Sequence, residues 1–286
     1  MTWDIKGKTV FITGATDGIG QATAQALAKR GARLILTART KEKGERAVTE
    51  LKRKTGNDAV EYIECDLASF ASIKRCAEEY KKRFQRLDVL ISVAGVMPLE
   101  RQTSQDGIEL NMAVNYFAPV LLEELLLPLI EHSAPARIIN VTSSTYALGD
   151  IDLDHLRGKE TYERYDAYGT SKLALMLYTK YLADSLRGSG IAVNTVHPGW
   201  IRTKLAIGAL GKSGFAAQTL LPFLKMRPAW YGARSIVYLA ADPAAGELQG
   251  EYIIKNQPAQ VKAKARDAEL GVALAKKTKE ILSPFL

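Results

Sequence analysis

Short apolar runs recur along the chain, and each is followed by a longer stretch with helical spacing. Lys8–Thr13, Arg33–Ala38, Val60–Glu64, Leu87–Val93, Arg137–Thr142 and Ile191–Val196 read as strands, with a weaker one at Glu251–Ile254. Gly18–Arg30, Lys41–Lys54, Ser69–Phe84, Gln105–Glu131, Ala167–Arg187 and Ala229–Ala241 read as helices. Gly31 stands where the first of these needs a left-handed cap. Strands this apolar and β-branched are buried on both faces, and a helix after each strand is what a parallel sheet requires. The expected fold is α/β, a doubly wound and mostly parallel sheet. With no repeat or linker, residues 1–286 read as a single domain. It carries an excursion at about 202–228 and a C-terminal helix at about 267–281. Ligands in such folds bind beyond the carboxyl ends of the strands, where the polar signals of this chain sit.

Composition narrows the function classes. At 47% hydrophobic and 24% charged, the chain can bury a sizeable core. No run of about twenty apolar residues stands out, so no membrane span is expected. The N-terminal MTWDIKGKTV lacks the layout of a signal peptide, and a soluble, cytoplasmic protein is expected. The two cysteines, Cys65 and Cys76, read as small packing residues in a reducing compartment. His132, His155 and His197 show no metal-ligand spacing, so no metal is expected. The net charge of +8 raises nucleic acid as a partner. Yet Lys and Arg are mixed with Glu along helices, which reads as solvated helix faces, and no nucleic-acid partner is expected. Attraction of a phosphate-bearing cofactor accounts for some of the excess.

Between the first strand and first helix lies Thr13-Gly14-Ala15-Thr16-Asp17-Gly18-Ile19-Gly20. Glycines there let a phosphate approach the backbone, and the helix N-terminus adds free N–H groups and partial positive charge. In its strand–turn–helix context this reads as dinucleotide binding; a plain β–α turn is the competing reading. Arg39 ends the second strand, the position that faces the adenosine ribose. An acidic residue would select NAD(H) there, whereas a guanidinium pairs with a 2′-phosphate, so NADP(H) is favoured, with Lys43 assisting. Asp17 argues mildly the other way, and a solvated surface arginine is the alternative. Asp66 follows the third strand, placed either for the adenine edge or as a helix cap near Ser69.

Tyr168 and Lys172, four apart on one helix, share a face. Carbonyl reduction needs a hydride and a proton for the developing alkoxide. A tyrosine can supply the proton, and a nearby ammonium is expected to pull its pKa from about 10 toward working pH. Ser143, after the fifth strand, would hydrogen-bond the substrate oxygen. Asn115, on the long helix, could hold a water that relays protons to Lys172.

Taken together, TGATDGIG, CDL at 65–67, Asn115, RIINVTSS, YGTSK at 168–172 and HPGWIRT at 197–203 resemble the short-chain dehydrogenase/reductases over about residues 7–255. The resemblance implies a Rossmann fold and a catalytic set of Asn115, Ser143, Tyr168 and Lys172. It brings Leu67, Ala94, Gly95, Pro198, Gly199, Ile201 and Thr203 to the cofactor. Val93-Ala94-Gly95 departs from the family's usual Asn-Ala-Gly. LQGEYIIKN and ARDAEL near the C-terminus are similar to the retinol-dehydrogenase-like branch, which commonly uses NADP(H) and apolar carbonyl substrates. Homodimers and homotetramers are common in the family.

The segment from Thr203 to Pro228, apolar yet broken by glycines, reads as a helical substrate lid, which fits a bulky lipophilic ketone, aldehyde or alcohol. A dimer contact or a membrane-surface patch are the other readings. Trp200, Met97 and Tyr146 are candidates to line the pocket. The leading function is an NADPH-dependent carbonyl reductase, reversible as an alcohol dehydrogenase. The alternatives are a non-catalytic NADP(H)-binding regulator and an NAD-linked alcohol dehydrogenase.

Overall fold

The computed structural model describes residues 3–203, 205 and 226–286. Its eight-stranded sheet has the order β3-β2-β1-β4-β5-β6-β7-β8. The strands are β1 (Thr9–Thr13), β2 (Arg33–Ala38), β3 (Val60–Glu64), β4 (Val89–Ser92), β5 (Ala136–Val141), β6 (Ile191–Val196), β7 (Tyr252–Ile254) and β8 (Gln257–Pro258). All pair in parallel except β7 with β8, which turn antiparallel through Lys255 and Asn256 at positive φ. The two-residue β8 had no signal in the hydrophobic pattern.

Alternate strand residues feed two cores. Val10, Ile12, Leu34, Leu36, Val89 and Ile91 pack with α1 (Gly18–Ala28), α2 (Lys41–Thr55) and α6 (Ala229–Ala241). Phe11, Ile35, Leu90 and Ile138 pack on the other face with α3 (Phe70–Arg83), α4 (Leu110–His132), α5 (Arg164–Ser185) and α7 (Ala268–Leu282). Burial on both faces is why these strands are continuously apolar. The strand order reverses between β1 and β4, opening a crevice at their carboxyl ends.

The long helix begins at Leu110, not near Gln105. The Glu109 carboxylate accepts from the backbone N–H of Asn111 (2.9 Å) and Met112 (3.1 Å), capping the helix there. The expectation that no stretch could span a membrane also needs correction. By length and composition α4 could, with a mean hydropathy of 1.5, because Asn and Glu interrupt the apolar run without lowering its average enough. Most of that stretch, 72%, is buried inside the fold. Residues 113–117 of α4 form a π-helical turn, which projects Asn115 toward the loop after β4.

Candidate active site

At the carboxyl ends of the strands lies an open groove of about 990 Å³. The glycine turn forms one wall, with Gly14, Thr16, Asp17, Gly18, Ile19 and Gly20 all bordering it. Gly14 has φ +69°, and a Cβ there would sit 2.7 Å from the Ala94 Cα. A Cβ on Gly20 would run into the Gly14 carbonyl oxygen. The turn thus closes tightly only with glycine at both positions. Asp17 caps α1, its carboxylate accepting the Gly18 N–H at 2.7 Å.

Arg39 and Lys43 border the groove beyond β2, both exposed, and Arg46 joins them there. Asp66 and Leu67 also border it. Asp66 accepts the Ala68 N–H (3.1 Å), while Ser69, not Asp66, caps α3. Ala94, Gly95, Pro198, Gly199, Ile201 and Thr203 complete the walls. Val93 leaves no side-chain amide where the family usually has one. The Thr13 hydroxyl instead accepts the N–H groups of Val93 (3.2 Å) and Ala94 (3.4 Å), so the loop is anchored from β1.

Ser143, Tyr168 and Lys172 meet at the groove floor. Ser143 follows β5, and its hydroxyl takes hydrogen bonds from the Thr145 hydroxyl (2.8 Å) and N–H (3.3 Å). Tyr168 lies in the second turn of α5, 9% exposed, with Ser143 close enough to act on its hydroxyl. The Lys172 ammonium donates to the Val141 carbonyl at 3.1 Å and lies 5.7 Å from the Tyr168 ring centroid. Burial lowers the Lys172 pKa to about 8. Burial also pushes Tyr168 up to about 12, with Ser143 acting the other way. The expected downward pull on the tyrosine by Lys172 is therefore not what the geometry produces: desolvation dominates.

Asn115 does not border the groove. Its amide lies behind the floor, bonded to both backbone groups of Val96 and to Ser171. Both side-chain N–H groups are committed there, so neither is free for the water expected from sequence to relay protons to Lys172. Met97 and Trp200 border the groove as expected. Tyr146 does not: its ring packs edge-on against Tyr252, and its hydroxyl accepts the Lys262 N–H. His197, unassigned from sequence, borders the groove and stacks on Tyr252, and burial drops its pKa to about 4.

Two glycines that sequence reasoning passed over hold the floor together. A Cβ on Gly169 would lie 2.6 Å from the Thr145 carbonyl oxygen, and one on Gly149 would strike the α5 backbone. Helix α5 therefore rests directly on the Ser143–Gly149 turn. The signal was present in YGTSK, since a helix-interior glycine invites a packing reason. Gly169→Ala is expected to push Tyr168 away from Ser143. Overpacking of this kind costs about 1–3 kcal/mol, and a small misplacement lowers kcat about tenfold or more. Thermal melts and steady-state kinetics check both effects.

Most of the expected lid, residue 204 and residues 206–225, lies outside the described residues. Its two ends meet: the Arg202 N–H donates to the Arg227 carbonyl (2.9 Å), and the Arg227 N–H to the Trp200 carbonyl (2.8 Å).

Residues 8–210 match the family model for the short chain dehydrogenases. Human retinol dehydrogenase 13 is 41% identical over 87% of this chain and 76% of its own. An uncharacterized protein from Mycobacterium paratuberculosis superposes with a TM-score of 0.79 at 29% identity, covering 99% of this chain and 96% of its own. The Pseudomonas aeruginosa RhlG/NADP active-site complex gives 0.70 at 29% identity, covering 87% and 95%. The chain belongs to the short-chain dehydrogenase/reductase family, in its retinol-dehydrogenase-like branch.

Proposed function

We propose that this protein is an NADPH-dependent carbonyl reductase, reversible as an alcohol dehydrogenase, acting on lipophilic ketones, aldehydes or alcohols. The observation that carries the reading is the Ser143–Tyr168–Lys172 cluster, in one groove with a glycine-tight turn at its other wall.

The residues fit a nicotinamide dinucleotide. A pyrophosphate suits the turn, where only glycines allow so close an approach, at the N-terminus of α1. A 2′-phosphate suits Arg39 and Lys43, and the NADP bound in the RhlG relative supports that choice. When bound, the reduced nicotinamide supplies the hydride. Ser143 and Tyr168 hold the carbonyl oxygen, and Tyr168 delivers the proton to the alkoxide. With its pKa pushed up, the phenol stays protonated through neutral pH, which suits the reducing direction. Lys172, still largely charged at neutral pH, steadies the phenolate left behind. Val96, Met97, Leu110, Val114, Leu205 and Met226 give the substrate end an apolar lining. The alcohol in the name of retinol dehydrogenase 13 is of that class.

The test is a panel of lipophilic ketones and aldehydes with NADPH, followed by nicotinamide absorbance. Turnover on at least one is expected; cofactor binding without turnover on any would overturn the enzymatic reading. Arg39→Asp is expected to weaken NADPH binding about 10- to 100-fold, the worth of one or two charge-assisted hydrogen bonds, while NADH binding holds or improves. Equal losses for both cofactors would argue against Arg39 as the selector. Titration of both cofactors with the variant measures this.

A further inference from the structure

We propose that Ser171 is a positioning residue, whose buried hydroxyl clasps Asn115 and thereby locks the loop Ala94–Met97 to the helix carrying Tyr168 and Lys172. The inference rests on the reductase reading for its kinetic consequence, but not for the clasp itself.

The geometry leaves little freedom. Ser171 is fully buried, and Asn115 is 1% exposed. The Ser171 hydroxyl donates to the Tyr168 carbonyl at 2.7 Å, so its proton is spent. Its lone pairs then face Asn115, whose Nδ2 donates to it at 3.0 Å. The other Nδ2 hydrogen goes to the Val96 carbonyl at 3.0 Å, and Oδ1 accepts the Val96 N–H at 2.8 Å. The amide therefore grips Val96 as a neighbouring strand would. Its orientation is set by Val96: that N–H needs an acceptor, so the oxygen turns to it and the nitrogen turns to Ser171.

The gripped loop is part of the groove. A Cβ on Gly95 would lie 3.3 Å from Asn115 Oδ1 and 3.7 Å from Lys172 Nζ, so the loop passes between the amide and the ammonium with little room to spare. Asn115 sits in the π-helical turn of α4, and Ser171 is one residue before Lys172 on α5. One hydroxyl thus joins three elements: the loop after β4 (through Asn115), α4 and α5. Alanine at 171 would leave a buried Asn115 N–H without a partner, a state that favours rotation of the amide and release of Val96.

Two readouts test this. The first is amide hydrogen exchange at Val96 in the cofactor-free protein. Ser171→Ala should lower Val96 protection about tenfold, the equivalent of one buried hydrogen bond, with β1 amides unchanged. The second is kinetic. Ser171→Ala should lower kcat about tenfold with the substrate KM changed by less than about twofold, since alignment is lost and not binding. In an Asn115→Ala background the same change should add less than about twofold, because the partner is already gone. Unaltered Val96 exchange, or kinetic effects of the two substitutions that simply multiply, would overturn the clasp. If the wild-type protein turns over no carbonyl substrate, the reductase reading fails, and Val96 exchange alone decides the clasp.

Discussion

Replacing Tyr168 with phenylalanine is expected to lower kcat for carbonyl reduction by about 10²- to 10⁴-fold, the usual worth of a positioned proton donor. NADPH affinity should hardly change. The phenol ring packs in place, 9% exposed, and phenylalanine keeps that packing while removing one hydroxyl. The lost group is the proton source. Ser143 keeps its own bonds to Thr145 and can still hold a carbonyl oxygen, but its hydroxyl is a poor acid at neutral pH. A fall in kcat of less than about tenfold would mean that the proton comes from elsewhere. Loss of NADPH binding together with kcat would mean that the hydroxyl supports the groove and does not serve chemistry. Single-turnover kinetics beside a binding titration separate these outcomes.

The features that could be read from the chain are those in which one residue meets one local demand. Val10–Ile12, Leu34–Leu36 and Val89–Ile91 announce strands because both faces of a parallel strand are buried, so the whole run must be apolar. Gly14 and Gly20 announce the turn because any side chain would meet backbone. Tyr168 and Lys172 share a face by helical spacing alone. What escaped reading depends on partners far along the chain. Asn115 looks like a groove residue until the loop after β4 folds over it. Tyr168 looks like an acidified phenol until its burial is known, and burial is a property of the whole packed floor. The start of α4 escaped because Glu109 reads as one more helical residue, although its carboxylate folds back as a cap. Helical spacing likewise cannot distinguish Glu123 from Glu124: they are adjacent and chemically alike, yet only Glu123 faces the core.

That difference predicts a pH dependence of stability that one substitution can isolate. Glu123, on α4, is 1% exposed, and neither of its carboxylate oxygens has a hydrogen-bond partner. Asn140 on β5 lies against it, but the Asn140 amide nitrogen donates to Thr179 on α5, and its Oδ1 is also without a partner. Glu124 next to it and the buried Tyr116 and Tyr178 offer no compensating positive charge. Burial raises the Glu123 pKa from 4.5 to about 8, opposed by Asn140 and reinforced by Glu124. The folded chain thus holds a proton that the unfolded chain releases above about pH 4.5. The contribution of Glu123 to stability is fully present below that pH and is lost progressively as pH rises toward 8, by on the order of 5 kcal/mol. Glu123→Gln keeps the shape, cannot ionise, and brings an N–H that Asn140 Oδ1 can accept. The variant should match the wild type near pH 4.5 and exceed it by about that amount at pH 9. Denaturant unfolding of both proteins across this range gives the difference directly, and other titrating groups cancel in the comparison. Parallel stability curves would show that Glu123 is ionised in the folded protein. A variant less stable at every pH would show that the carboxyl makes a bond that the amide cannot replace.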